Sequence, residues 1–263
     1  MRRSLLRLSI VAAAVWASTA LGAFAQTHSS ERHQFRVTTL AEGLEHPWSL
    51  AFLPNGDLLI TEREGRLRLV RDGVLDPEPV AGAPKAAASG QGGLLDVALH
   101  PRFAENRLVY LSYAGRGEGG LGTEVARGRF VEGRLVDLET IYAVQPKSGG
   151  GRHFGSRLVF GPDGLLYVTA GERGSPDRAQ DLDDPAGSVL RLTDDGKPAP
   201  GNPFVGRAGA RPEIFTYGHR NPQGLTKHPE TGAIWAVEHG PRGGDELNLI
   251  TAGANYGWPV ITQ

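Results

Sequence analysis

Apolar and polar positions alternate in short runs along this chain, and four of the runs share one plan. An apolar stretch leads to a Pro beside Asn, Asp or Gly, and a second β-rich stretch follows. The four are "SLAFLPNGDLLITER" (49–63), "DVALHPRFAENRLVYLSY" (96–113), "RLVFGPDGLLYVTAGE" (157–172) and "GLTKHPETGAIWAVEHG" (224–240). Their prolines, Pro54, Pro101, Pro162 and Pro229, stand 47, 61 and 67 residues apart. Proline presets φ for a turn, and Gly or Asn tolerates positive φ, so each run predicts a β-hairpin. Further short strands are predicted at "GRLRLVRDG" (65–73) and "GSVLRLTDDG" (187–196). No segment keeps a helical period over a useful length, and 85–88 is too short. The recurring unit, with about four strands, predicts an all-β propeller, in which radial packing protects strand edges. A β-sandwich is the alternative, since repeated hairpins do not force a circle. Only four units precede the final "NYGWPVITQ", so a propeller cut before its last blades is expected.

Composition changes this picture at the N-terminus. "MRRSLLRLSIVAAAVWASTALGAFAQ" has basic Arg2, Arg3 and Arg7, an apolar middle, and Ala23-Phe24-Ala25 before Gln26. That layout predicts a secretory signal over 1–25, too short for a membrane anchor, and hence a periplasmic or secreted protein. The expected organisation is this signal, a lead-in over 26–43, and a partial propeller over 44–263. Removing 1–25 leaves 25 basic against 29 acidic residues, so no basic face for nucleic acid is implied. Cysteine is absent, which excludes thiol, haem-attachment and iron–sulfur chemistry. Glycine (37) and proline (18) are spread between apolar runs, which fits many tight turns and not a disordered tract.

Four stretches carry more polar chemistry than turns require. Gln91 sits among glycines in "SGQGGLLDVALHP", and His153 follows three glycines in "KSGGGRHFGSRLVFGPDG". A histidine before an inner strand is a candidate proton acceptor at the mouth of a channel, or an ordinary turn residue. Glycines 149–151 would let a flat ligand approach the backbone closely. "YGHRNPQGL" (217–225) sets His219, Arg220 and Asn221 side by side, with Pro222 stiffening the loop. Arg220 and Asn221 suit adjacent carbonyl oxygens that gain negative charge; loop carbonyls of the protein itself are the other option. "EHGPRGGDELNLITAGANYGWP" offers carbonyls at Gly240 and Pro241 and carboxylates at Asp245 and Glu246. These donors suit a hard cation such as calcium, or are solvated loop acids. No GxSxG elbow, P-loop, HExxH or helix-opening GxGxxG occurs, which argues against serine hydrolases, nucleotide enzymes and zincins.

Taken in order, "GRHFGSRLVFGPDGLLYV", "YGHRNPQGL" and "EHGPRGGDELNLI…NYGWP" resemble the soluble quinoprotein glucose/sorbosone dehydrogenase family. The likeness is greatest to its periplasmic aldose sugar dehydrogenases, and runs from about Leu44 to the end of the chain. The resemblance implies a six-bladed β-propeller that uses pyrroloquinoline quinone (PQQ) and Ca²⁺ to oxidise aldoses, passing electrons to a periplasmic acceptor. It implies His153 as general base, and Arg220 and Asn221 as the pair on the quinone oxygens. Gln91 and Arg152 would contact the cofactor, and Glu172 the sugar. Gly240 and Pro241 would bind the catalytic calcium through their carbonyls, with Glu246 and Tyr256 on a second, structural calcium. Cationic contacts to the cofactor carboxylates that the family draws from its last blades have no match, so low activity of these 263 residues alone is expected. A calcium-dependent lactonase and a non-catalytic binding propeller are the rival functions. Arg220 and Asn221 have no evident work in a lactonase.

Overall fold

The structure is a computed structural model that describes residues 27–261, so the expected signal over 1–25 lies outside the described residues. The chain divides into two compact units, Met1–Leu40 and Ala41–Gln263. Within the first, β1 (Thr27–Ser29) and β2 (Gln34–Arg36) form a hairpin in which the Ser30 hydroxyl accepts the His33 N–H at 3.1 Å.

The second unit is a series of antiparallel sheets, each a simple meander. Blade one holds β3 (Pro47–Phe52), β4 (Leu58–Glu62), β5 (Arg66–Arg71) and β6 (Val74–Leu75). Blade two holds β7 (Leu94–Leu99), β8 (Leu108–Gly117), β9 (Gly120–Val131) and β10 (Arg134–Ala143), with a one-turn helix α1 (Phe103–Asn106) after β7. Blade three holds β11 (Gly155–Phe160), β12 (Leu166–Ala170), β13 (Ser188–Leu192) and β14 (Ile214–Tyr217). Blade four, among the described residues, holds β15 (Pro222–Lys227), β16 (Ile234–Glu238) and β17 (Glu246–Leu249). All four expected hairpins are present, although at Pro101 the turn is a helical one. The sandwich alternative is excluded: β3, β7, β11 and β15, the first strands of successive blades, pack side by side around a common axis.

Alternation along the strands explains why the apolar runs look continuous. Successive side chains point to opposite faces, and a middle blade is covered on both. Val109 and Leu111 of β8 join Leu59, Leu67 and Leu94 between blades one and two. Tyr110, between them in sequence, packs instead with Leu158, Leu166 and Leu190 between blades two and three. Tyr167 and Val189 then meet Leu225, Ile234 and Ala236 between blades three and four. At the two ends of the arc this alternation brings apolar side chains to the surface. Leu50 and Phe52 of β3, and Val237, Leu247 and Leu249 of blade four, are exposed.

One side chain joins all four first strands. Arg157 in β11 donates through Nη1 to Ser49 Oγ at 3.1 Å and to Asp96 Oδ1 at 3.0 Å, and through Nε to the Gln223 carbonyl at 3.0 Å. Its guanidinium lies 4.2 Å from the centroid of the Trp48 ring. Asp96 is buried and also accepts the backbone N–H groups of Val97 (2.9 Å) and Leu158 (2.7 Å). The axis is therefore held by a charged knot, and the loops that carry the candidate chemistry rise from it.

Candidate active site

Two kinds of connection meet at one end of the channel. One leads into the first strand of a blade; the other follows its second strand. A buried glutamate links them in three of the blades. Glu62 accepts the Glu45 N–H at 2.6 Å, Glu172 lies 2.8 Å from His153 Nδ1, and Glu238 accepts the Arg220 N–H at 2.9 Å. Burial alone would raise the Glu62 carboxyl, but the Glu45 N–H, Arg66 and Arg68 together hold it below its ordinary value of 4.5. A depressed folded-state value stabilises the fold above the unfolded value, and that stability is lost as pH falls through the folded one. Glu62→Gln is therefore expected to cost about 1–3 kcal/mol near neutral pH. The difference from the parent should close in urea unfolding curves taken below about pH 4.

His153 is the best-defined group in the site. Its backbone takes φ 57°, its N–H donates to Gln91 Oε1 at 2.7 Å, and its side chain is buried up to the rim. Glu172 is buried as well, and its second oxygen accepts the Ser175 N–H at 2.8 Å. A carboxylate at Nδ1 requires the proton there, so the tautomer assigned from this contact leaves the Nε2 lone pair free. Gly171 must lack a side chain, because a Cβ would lie 2.3 Å from the His153 carbonyl oxygen. The glycine run before His153 divides its duties: Gly149 faces open space, whereas Gly151 packs against Gly90.

The Arg220 loop is bound to the His153 loop at two points. Glu172 N–H donates to the Arg220 carbonyl at 3.0 Å, and Gly155 N–H donates to Asn221 Oδ1 at 3.1 Å. Asn221 is buried, and its Nδ2 makes no hydrogen bond among the described residues. Arg220 is half-buried, donates to the His239 carbonyl at 3.0 Å, and sits 5.4 Å from the Trp258 ring. Trp258 Nε1 is a buried donor without a partner. Orphan N–H groups beside an exposed guanidinium edge fit a planar ligand rich in acceptor oxygens.

His219 was not assigned a role by its sequence context, and the structure gives it one. It is fully buried, with Nδ1 2.8 Å from Glu238 Oε2 and Nε2 2.9 Å from Thr216 Oγ1. The pairs His153–Glu172 and His219–Glu238 have the same 19-residue separation in sequence. That spacing was readable, but only with the blades already aligned. With both nitrogens engaged, His219 can hold the loop but cannot exchange a proton.

Gly240 and Pro241 form a tight loop. Gly240 N–H donates to Asp245 Oδ1 at 3.1 Å, and Gly244 N–H donates to the Pro241 carbonyl at 3.0 Å. A carbonyl has a second lone pair, so these oxygens and Asp245 suit a hard cation in donor type. No cluster of three or more His, Asp or Glu side chains is gathered for a metal among the described residues. Glu246 Oε2 accepts from Asn248 Nδ2 at 3.0 Å, and the Tyr256 hydroxyl accepts the Thr251 N–H at 3.0 Å and donates to the Leu249 carbonyl. Tyr256 also stacks on His219 at 4.5 Å, so its ring acts as a strut. Gln91, His153, Glu172, Arg220 and Asn221 are thus brought together by direct bonds, with Arg152 exposed beside them. Glu246 and Tyr256 belong to the flank of blade four.

A family model for glucose/sorbosone dehydrogenases matches residues 44–263, the whole of the four-blade arc. The chain belongs to the glucose/sorbosone dehydrogenase family. Among its relatives, aldose sugar dehydrogenase YliI of Escherichia coli is 44% identical over 230 residues, which cover 86% of this chain and 62% of that protein. A crystal structure of a glucose dehydrogenase superposes with a TM-score of 0.83 at 53% identity, covering 86% of this chain and 66% of that one. A PQQ-bound aldose sugar dehydrogenase from Streptomyces coelicolor gives a TM-score of 0.76 at 37% identity, with the same two coverages, 86% and 66%. This glucose/sorbosone dehydrogenase chain therefore spans less than two thirds of the length of each of these three relatives. Within that span lie His153 with its glutamate, the Arg220–Asn221 loop and the Gly240–Pro241 turn.

Proposed function

We propose that the chain carries the reaction centre of a PQQ- and calcium-dependent aldose dehydrogenase, which oxidises the anomeric hydroxyl of a sugar to a lactone. The observation that carries this reading is His153: Nδ1 is fixed by a buried carboxylate, and Nε2 has a lone pair but no protein partner. In this reading Nε2 takes the proton of the C1 hydroxyl, while Glu172 stabilises the positive charge that the ring acquires. Gln91 fixes the main chain of His153, so that the nitrogen is aimed before substrate arrives. Arg220 and the free Nδ2 of Asn221 place donors where quinone oxygens gain negative charge, and Arg152 contributes at the exposed rim. When bound, the quinone supplies the hydride acceptor. The carbonyls of Gly240 and Pro241 would hold its calcium, and Glu246 with Tyr256 would hold a structural one. Both oxygens of Glu172 are occupied inside the protein, so we assign it to orienting His153 and not to contacting the sugar. The expected setting is the periplasm, with electrons leaving to a separate acceptor. No helix among the described residues is long and apolar enough to cross a membrane.

The test is a titration of the protein with PQQ in excess calcium, followed by absorbance, and then addition of an aldose. The expected result is saturable uptake followed by slow bleaching to the reduced cofactor, in keeping with the low activity expected of these 263 residues alone. A folded protein that takes up no PQQ would overturn the reading.

A further inference from the structure

Arg173 lies against the His153 loop with no carboxylate within salt-bridge distance among the described residues. It is 3% exposed. Its Nη2 donates to the Gly150 carbonyl at 2.8 Å, Nη1 donates to the Arg152 carbonyl, and its backbone N–H donates to the His153 carbonyl at 3.3 Å. The guanidinium carbon stands 3.4 Å from the centroid of the buried Phe154 ring, and Nε is buried without a partner. One side chain thus touches the residues on either side of His153. Every other cation near the loop is answered or solvated. Arg178 pairs with Asp184 at 2.6 Å, Lys147 pairs with Glu124, Arg152 is exposed, and Arg220 is half-exposed.

On the acidic side, Glu172 is 1% exposed, and among the described residues its only partner within salt-bridge distance is His153. A buried carboxylate on Nδ1 favours the charged ring over the neutral one. A fixed cation bonded to the carbonyls of Gly150 and Arg152 and stacked on Phe154, on the loop that carries His153, acts in the opposite sense. We infer that Arg173 is the counter-charge of the His153–Glu172 pair, holding the loop and keeping His153 neutral so that Nε2 can accept a proton. This rests on the reading of His153 as the proton acceptor. Burial first, and the Arg178 charge second, draw the Arg173 guanidinium down to about 10, with Glu172 acting the other way, so it remains a cation at neutral pH.

The experiment is an imidazole ¹H–¹⁵N NMR titration of the labelled chain without cofactor, with His153 assigned by its loss in His153→Gln. Arg173→Gln should raise the His153 pKa by about one unit or more, while Arg173→Lys should leave it within about 0.3 unit. A role confined to holding the loop would lower thermal stability and leave the titration where it was, and that outcome overturns the inference. Should Arg173→Gln not fold, the double variant Glu172→Gln/Arg173→Gln removes both buried charges together and is compared with Glu172→Gln alone. His153 should titrate about one unit higher in the double variant, and equal values overturn the inference. None of these readings needs turnover. Failure of the PQQ titration would therefore strike the proposed function, while the charge balance between Arg173 and His153 is decided by the NMR titration alone.

Discussion

On the proposed reading, replacing His153 by Gln is expected to lower kcat for aldose oxidation by about 10²–10⁴-fold, the span that loss of a positioned general base produces. Glutamine can still hydrogen-bond to Glu172 but has no lone-pair nitrogen to take the hydroxyl proton. The Arg220–Asn221 loop is tied to the His153 segment through the main chain at Glu172 and Gly155, and neither bond involves the imidazole. PQQ uptake should therefore stay within about twofold of the parent, since binding and proton transfer rest on different groups. Single-turnover bleaching of the bound cofactor measures the first quantity, and the absorbance titration measures the second. Equal loss of both would mean that His153 holds the loop together and does no proton chemistry.

Asp96→Ala is expected to remove about 3–5 kcal/mol of stability, the usual consequence of taking one partner from a buried ion pair. Four groups lose an acceptor at once: Arg157, the Ser49 hydroxyl, and the backbone N–H groups of Val97 and Leu158. Because Arg157 also reaches Ser49 and Gln223, the effect spreads from β7 to the first strands of the other blades. Urea unfolding of Asp96→Ala, Arg157→Met and the double variant checks this. The double should be less destabilised than the sum of the singles, because it leaves no unpaired buried charge. Strict additivity would mean that the two side chains act separately.

The blades were legible because each begins with a hairpin whose turn residues and apolar runs lie close together in sequence. The long strands β8, β9 and β10 were less so. Arg116, Arg127 and Arg129 break their apolar pattern, and two register shifts interrupt the pairing of β9 with β10. At the site, His153, Arg220 and Asn221 stood out by residue type beside Gly or Pro. The work of Glu172 did not, because nothing in one sequence says which way a carboxylate points, and the pairing with His153 spans 19 residues. Arg173 was hidden for a similar reason: its partners are backbone carbonyls and a ring face, neither of which leaves a mark in the residue pattern. Asp96 and Arg157 sit within runs that read as ordinary strands, and only the closing of the arc brings them together.

Blades built on one plan carry spare chemistry. The fourth blade repeats the histidine and glutamate of the third at the same spacing, yet the Thr216 hydroxyl caps the nitrogen that would otherwise be free, and the ring is walled off from solvent. On the proposed reading, what separates His219 from the reactive His153 is the Thr216 hydroxyl on its Nε2 and the Tyr256 ring stacked against it. Duplication of a blade therefore copies a half-finished proton acceptor along with the fold. Activating or silencing one calls for a change at its cap, with the pair itself left alone.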